Sequence, residues 1–195
     1  LSTGRKRRDS VEEMLGHKKY RPEMILPDDE VGVINGLAWT QVGGEIMQLE
    51  VAVLNGDGKT VLTGNLGDVM KESAQAAITF VRANASKYGI DTEFYKTRDI
   101  HIHATESAVP KDGPSAGVTI TTALISALTN RPVRRDVAMT GEVTVRGRVL
   151  AIGGLKEKAM AAYRGGVKRV FIPYDNIPDI DEVDEKVREN IEFIP

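Results

Sequence analysis

Cysteine is absent from this chain of 195 residues. That excludes disulfides, thiolate metal sites and a cysteine nucleophile together, and it fits a reducing compartment. Histidine is scarce, with three residues at His17, His101 and His103. An excess of charge of either sign is missing: 26 Lys and Arg face 28 Asp and Glu, for a net charge of -2. The balance therefore gives no sign of nucleic acid or an anionic membrane as a partner. The single basic run, GRKRR at 4–8, reads as a solvated tail. No apolar stretch approaches the roughly 20 residues that span a bilayer. The basic start LSTGRKRRDS has no apolar core behind it, so it is not a signal peptide. Residue 1 is Leu rather than Met, and the chain is expected to be a fragment or processed product of a longer protein.

What is present is the composition of a soluble globular protein, 41% hydrophobic and 28% charged. The length suffices for one sizeable domain with a buried core. Residues 1–30 are polar and mixed, with a short helical pattern in SVEEMLGHKKY and then two prolines, Pro22 and Pro27, that mark a linker. From Val31 to Thr63 the pattern turns to strands, VGVINGLAWT, EIMQLEVAVL and KTVLTG. The turns between them, QVGG and NGDG, are glycine-rich as hairpins require. Apolar residues at 70, 74, 77, 78, 81, 85 and 88 then trace a helical stripe that stops at Gly89.

RDIHIHA alternates as a short strand, and 104–114 carries two prolines and a glycine and is irregular. SAGVTITTALISAL reads as a helix buried on most sides. VAMTGEVTVRGRVLAIG predicts two strands about Gly147, LKEKAMAAYRGG a helix with a glycine stop, and VKRVFIP a strand. A polar helical stretch and a final strand, IEFIP, end the chain. Strands and helices intersperse without a strict β-α-β rhythm. The expected fold is therefore α+β, a single domain over 31–195 with mixed small sheets and packed helices, preceded by a linker segment at 1–30.

Gly56-Asp57-Gly58-Lys59-Thr60 imitates the end of a phosphate-binding loop. The motif needs a glycine where Val53 stands and a helix where a strand is predicted, so a hairpin turn is the better reading. His101 and His103 project from one strand face and could share a metal, but no third ligand is evident, and a structural or site-lining role is favoured. Gly113-Pro114-Ser115-Ala116-Gly117 fits G-x-S-x-G, the nucleophile elbow of α/β-hydrolases. Taken alone it reads better as a proline–serine helix start with glycines for a tight turn. The hydrolase version needs a histidine after the serine, and none lies beyond His103. A set of His103, Asp112 and Ser115 stays open, although Asp112 is so close to Ser115 in sequence that a spread-out triad is hard to assemble.

Without histidine, lysine is the next base, and it works only when neutral. At an unperturbed pKa near 10.4, about one lysine in a few thousand is deprotonated at pH 7. Burial lowers the value by up to about 3–5 units, which suffices. The lysine sought therefore sits on a buried helix face. GGLKEKAMAAYRGG offers Lys156 and Lys158, both near the apolar side of a helical wheel, and periodicity does not separate them.

PKDGPSAG followed by DVAMTGEVTVRGRVLAIGGLKEK resembles the proteolytic domain of the ATP-dependent Lon proteases, in their bacterial and mitochondrial type. The similarity runs from VGVINGLAWTQVGGE to the C-terminus, about five-sixths of the chain, and SVEEMLGHKKY looks like the tail of a preceding ATPase module. The resemblance puts the nucleophile on Ser115 in DGPSAG and the catalytic lysine on Lys158, the second lysine of GGLKEK. Thr140 of MTGE matches a residue that helps to orient the amine, and Asp112 and His103 match positions that line the site.

It further implies a serine endopeptidase with a Ser–Lys dyad, oxyanion donors from the backbone around Gly113 to Ala116, and no metal or cofactor in this domain. ATP and Mg would be used in the missing ATPase module of a hexameric ring that degrades unfolded, damaged and regulatory proteins in the cytosol or mitochondrial matrix. The readings that compete with it are a serine esterase or acyltransferase and a noncatalytic ring-assembly domain.

Overall fold

A computed structural model describes residues 25–105 and 113–195. In chain order its strands and helices begin with β1 (Glu30–Val31), β2 (Val33–Thr40), β3 (Gly43–Asn55), β4 (Thr60–Thr63), α1 (Asp68–Ala83) and α2 (Phe94–Thr97). They continue with β5 (Arg98–Ala104), α3 (Gly117–Thr129), β6 (Pro132–Val133), β7 (Val137–Met139), β8 (Glu142–Val143) and β9 (Val149–Leu150). Last come α4 (Leu155–Gly165), β10 (Arg169–Phe171), α5 (Glu185–Asn190) and β11 (Glu192–Ile194), with 3-10 turns at Ala85–Tyr88 and Tyr174–Glu182.

One mixed sheet of seven strands, in the order β11-β10-β7-β2-β3-β5-β4, dominates, and β1–β6 and β8–β9 form two-stranded ribbons. The α+β class follows the expectation. Period-two alternation gives the sheet two apolar faces. Ile34, Met47, Leu49, Ile100 and Ile102 face one side, where α1 and α3 pack with Ala77, Val81, Ile120 and Leu124. Leu37, Ala138 and Val170 face the other, where α4 and α5 pack with Leu155, Ala159, Ala162 and Val187. Each helix is thus a stripe laid on a pleated surface, and α3 and α4 lie on opposite faces.

The expected stripe at 70–88 is an α-helix to Ala83 and then a single 3-10 turn, ended by Gly89 in the left-handed region at φ 71°. Asn84 interrupts the helix by donating its side-chain amide to Phe80 O at 2.9 Å, a local bond that competes with the backbone ladder. Residues just before Val31 also pack on the domain. Ile25 N donates to Gly165 O at 3.1 Å, and Glu30–Val31 pair with Val133 and Pro132. Among the described residues no helix is long and apolar enough to cross a membrane.

The hairpin expected between β3 and β4 is not formed. β5 lies between them, antiparallel to β3 and parallel to β4. Ile100 and Ile102 of β5 are buried at 4% and 0% exposure, whereas β4 exposes Val61, so the more apolar strand takes the inner place. The turn itself has a local anchor. The amides of Asp57, Gly58 and Lys59 all donate to Asp99 Oδ1, at 3.1, 3.1 and 2.8 Å. The loop that resembles a phosphate cradle therefore holds a carboxylate of its own chain. A Cβ on Gly56 would fall 2.1 Å from that carboxyl.

Those amide bonds, Lys59 first, hold the Asp99 carboxyl below its ordinary pKa. Its contribution to stability is present above the unfolded value and lost as pH falls through the lower folded one. Asp99→Asn is expected to lower Tm at pH 6, with the difference from wild type shrinking in thermal melts as pH falls below the ordinary Asp value of about 3.9.

Candidate active site

Ser115 sits in a turn two residues ahead of α3. That helix runs antiparallel over β2: Ser126 Oγ near its end accepts from Gly32 N at 2.8 Å, and Thr119 lies against Gly36. Its start therefore overhangs the Thr40 end of β2. Gly113 enters the turn at φ 116°, a conformation that favours glycine. Ser73 Oγ donates to Pro114 O at 3.3 Å. The half-buried Ser115 accepts at its backbone oxygen from Gly141 N at 2.8 Å, and Val118 N donates to Gly141 O at 3.0 Å. A Cβ on Gly117 would fall 2.7 Å from Val143 N, so only glycine lets the helix start lie this close to the chain at 141–143.

Lys158 lies one turn into α4, whose N-cap Gly154 is left-handed at φ 71°. Lys156 is exposed and Lys158 is 2% exposed, which separates the two lysines that the helical wheel left together. The Lys158 amine donates to Thr140 Oγ1 at 3.2 Å, and Thr140 is itself 1% exposed. Burial alone lowers the amine from 10.5 to about 8. Among the described residues it forms no ion pair, and no hydrogen bond joins it to the Ser115 hydroxyl. Ser115 and Lys158 nonetheless engage consecutive residues, Gly141 through its amide and Thr140 through its hydroxyl.

The remaining candidates divide. Asp112 lies outside the described residues. His103 Nδ1 and His101 Nε2 share the Thr63 hydroxyl at 2.7 and 2.9 Å. One hydroxyl has one proton, so at least one ring must present an N–H to it. Both imidazoles line a cavity of about 440 Å³ with Glu30, Val33, Glu50, Val51 and Ala52, and neither Ser115, Thr140 nor Lys158 borders it. Among the described residues no three His, Asp or Glu side chains are grouped to hold a metal ion.

Two residues at the site carry no signal that sequence reasoning used. The doublet Gly43-Gly44 reads as a turn, but Gly44 is a contact: a Cβ there would fall 2.2 Å from Glu157 O and 2.9 Å from Lys158 N. Asn176 falls in the stretch read as polar helix, yet it is 1% exposed and bonded to both backbone groups of Ile152. The glycine doublet could have flagged a close approach, whereas nothing local distinguishes Asn176 from its polar neighbours.

The family pattern described as the Lon protease (S16) C-terminal proteolytic domain matches residues 6–195. The chain is 59% identical over 184 residues to the Lon protease of Finegoldia magna, covering 94% of this chain and 24% of that protein. It is 55% identical over 185 residues to the Lon protease of Clostridium acetobutylicum, with 95% and 24% covered. With the Lon protease of Haemophilus influenzae the identity is 54% over 183 residues, covering 94% and 23%. The chain thus spans about a quarter of the length of the curated relatives it matches.

Gly44→Ala is expected to push the first turn of α4 off β3, lowering both Tm and peptide cleavage, because the clashing atoms are backbone. Lys158→Met is expected to do the opposite to stability. The lowering from 10.5 to about 8 amounts to about 3 kcal/mol disfavouring the charged amine at neutral pH. That penalty is present below the folded value and fades towards the unfolded one. The variant should therefore melt higher than wild type at pH 7, with the gain shrinking between pH 8 and about 10.5 in paired calorimetric scans.

Proposed function

The chain belongs to the Lon protease (S16) family as a C-terminal proteolytic domain, a serine peptidase, and from that premise we propose that Ser115 is its nucleophile and Lys158 its general base. Neutral Lys158 takes the Ser115 proton as the hydroxyl oxygen bonds to a peptide carbonyl carbon. The resulting ammonium returns that proton to the nitrogen of the breaking peptide bond, which leaves as an amine. Water then attacks the acyl carbonyl, giving a proton to the same lysine, which passes it to the Ser115 oxygen as the ester bond breaks and the acid product leaves. The amides of Ser115 and Ala116, at the positive end of α3, are the donors to the carbonyl oxygen as it gains charge. Thr140 keeps the amine pointed at the end of β7, where the Ser115 turn is tied.

The observation that carries this reading is the burial of Lys158 beside Thr140. A solvent-excluded lysine without a counter-charge lowers stability, and an assembly module has no use for one. By the resemblance Asp112 is proposed to act near the dyad, whereas His103 lines a cavity that Ser115 and Lys158 do not border; bond cleavage in this domain is proposed to need no metal or cofactor. The relatives are about four times as long as this chain. In the whole protein the domain is proposed to work below an ATPase module that uses ATP and Mg. There a hexameric ring would thread unfolded, damaged and regulatory proteins to it, in the bacterial cytoplasm or the mitochondrial matrix.

Ser115→Ala and Lys158→Ala should each reduce cleavage of an unfolded protein by at least about 100-fold while folding survives. Lys156→Ala should remain active, and equal activity of Lys158→Ala and wild type would end the proposal. Because the neutral amine is the active form, kcat/KM in wild type should rise about tenfold per pH unit below about pH 8 and level off above it.

A further inference from the structure

Between β9 and α4 the chain is Ala151-Ile152-Gly153-Gly154. Two adjacent glycines give this connection little stiffness of its own, yet it decides where the lysine helix starts, since Gly154 O accepts from Lys158 N at 3.0 Å. Ile152 is fixed from outside. Its N–H donates to Asn176 Oδ1 at 2.9 Å, and its carbonyl accepts from Asn176 Nδ2 at 2.8 Å. The second N–H of that amide goes to Asp179 Oδ2 at 2.7 Å. A carboxylate only accepts, so Asp179 fixes which way the Asn176 amide faces. One buried side chain thereby gives Ile152 the paired bonds that a neighbouring strand would give it.

We infer that Asn176 is a positioning residue for the Lys158 amine: its amide staples Ile152 and so holds the first turn of α4 closed against Thr140. The inference rests, for its catalytic consequence, on the reading of Lys158 as general base. The rest of α4 is held by Leu155, Ala159 and Ala162 in the apolar cluster. Gly44 touches the Glu157–Lys158 backbone without a side chain or a hydrogen bond to grip it. Leu155 anchors the first residue of the helix by apolar contact alone, and the staple adds the directional bonds that fix the backbone leading into it.

Access of water to the amine is the quantity that loosening the staple changes. The carboxylates on the elements around α4, Glu45 on β3, Glu142 on β8, Glu157 on α4 itself, Asp175, Asp179, Asp181 and Glu182 in the 3-10 turn and Glu185 and Glu189 on α5, form no ion pair with Lys158 among the described residues. Burial is the cause of its shifted titration.

The test uses the full chain, with lysine side chains labelled with carbon-13 and Lys158 titrated by NMR beside the pH profile of peptide cleavage. Asn176→Asp keeps the side-chain volume and loses the donor to Ile152 O. Asp179→Ala is the milder variant, removing only the group that orients the amide. Both should raise the Lys158 midpoint, by about one unit in the first and less in the second. The first adds a negative charge and the second removes one, so a rise in both is not a Coulombic effect.

The rising limb of kcat/KM should move with the midpoint. Cleavage by Asn176→Asp at pH 7 then falls about tenfold and recovers to within about twofold of wild type at pH 10. An unchanged midpoint in both variants, with Tm lowered and the rate scaled equally at every pH, would overturn the inference. Failure of the dyad reading has a separate signature, because cleavage by wild type itself would then not follow the Lys158 titration.

Discussion

A lysine that is 2% exposed, without an ion pair among the described residues and held by one threonine hydroxyl, is an unfavourable thing for a fold to contain. The desolvated ammonium loses its hydration, and at neutral pH the fold carries that penalty whenever the amine is charged. Tolerating it requires backbone that does not relax around it. That backbone is supplied by close approaches, Gly44 against Glu157 and Lys158, and by the paired bonds of Asn176 to Ile152. None of these groups touches the amine. They set its environment by excluding water from it, which is why burial and not a neighbouring charge accounts for its titration near 8.

The same constraint explains how two residues on opposite faces of a sheet come to one place. Val137 and Met139 of β7 face the α3 side and Ala138 faces the α4 side. Alternation sends the next side chain, Thr140, to the α4 side, where it meets Lys158. One residue on, the amide of Gly141 holds the Ser115 carbonyl at the head of α3. The pleat of a single strand end therefore joins the serine helix to the lysine helix. Gly117 and Gly141 keep that junction bare of Cβ atoms, since either would strike the facing chain or Val118.

Much of this was legible because the signals were local. Pro114-Ser115-Ala116-Gly117 announces a helix start, Gly154 and Gly166 bracket α4, and the alternation in RDIHIHA marks β5. Three things were not legible, for one shared reason. The choice between Lys156 and Lys158 depends on which side of α4 rests on Gly44, the exclusion of a β3–β4 hairpin depends on β5 arriving between them, and the weight of Asn176 depends on Ile152. Each is a contact between distant segments, which periodicity does not encode. The resemblance to a family separated the lysines where the wheel did not, and the structure buries Lys158 while it exposes Lys156.

Asp99 and Lys158 show how a perturbed ionisable group can be sorted into structural or functional. Asp99 is half-buried, and three amide N–H groups favour its charged form, so the shift adds to stability at neutral pH. Lys158 is buried and its shift opposes the form that free lysine has at neutral pH, so the fold is weakened by it. The first explains itself, since the carboxylate pins the turn that places β4. The second has no structural return: Thr140 accepts one hydrogen bond, and an apolar side chain of similar length would fill the same space. A group that costs stability and is nonetheless enclosed by glycine contacts on one side and a polar staple on the other fits the proposed general base. That asymmetry in sign, rather than the size of either shift, is what supports the proposed role of Lys158 at the end of β7.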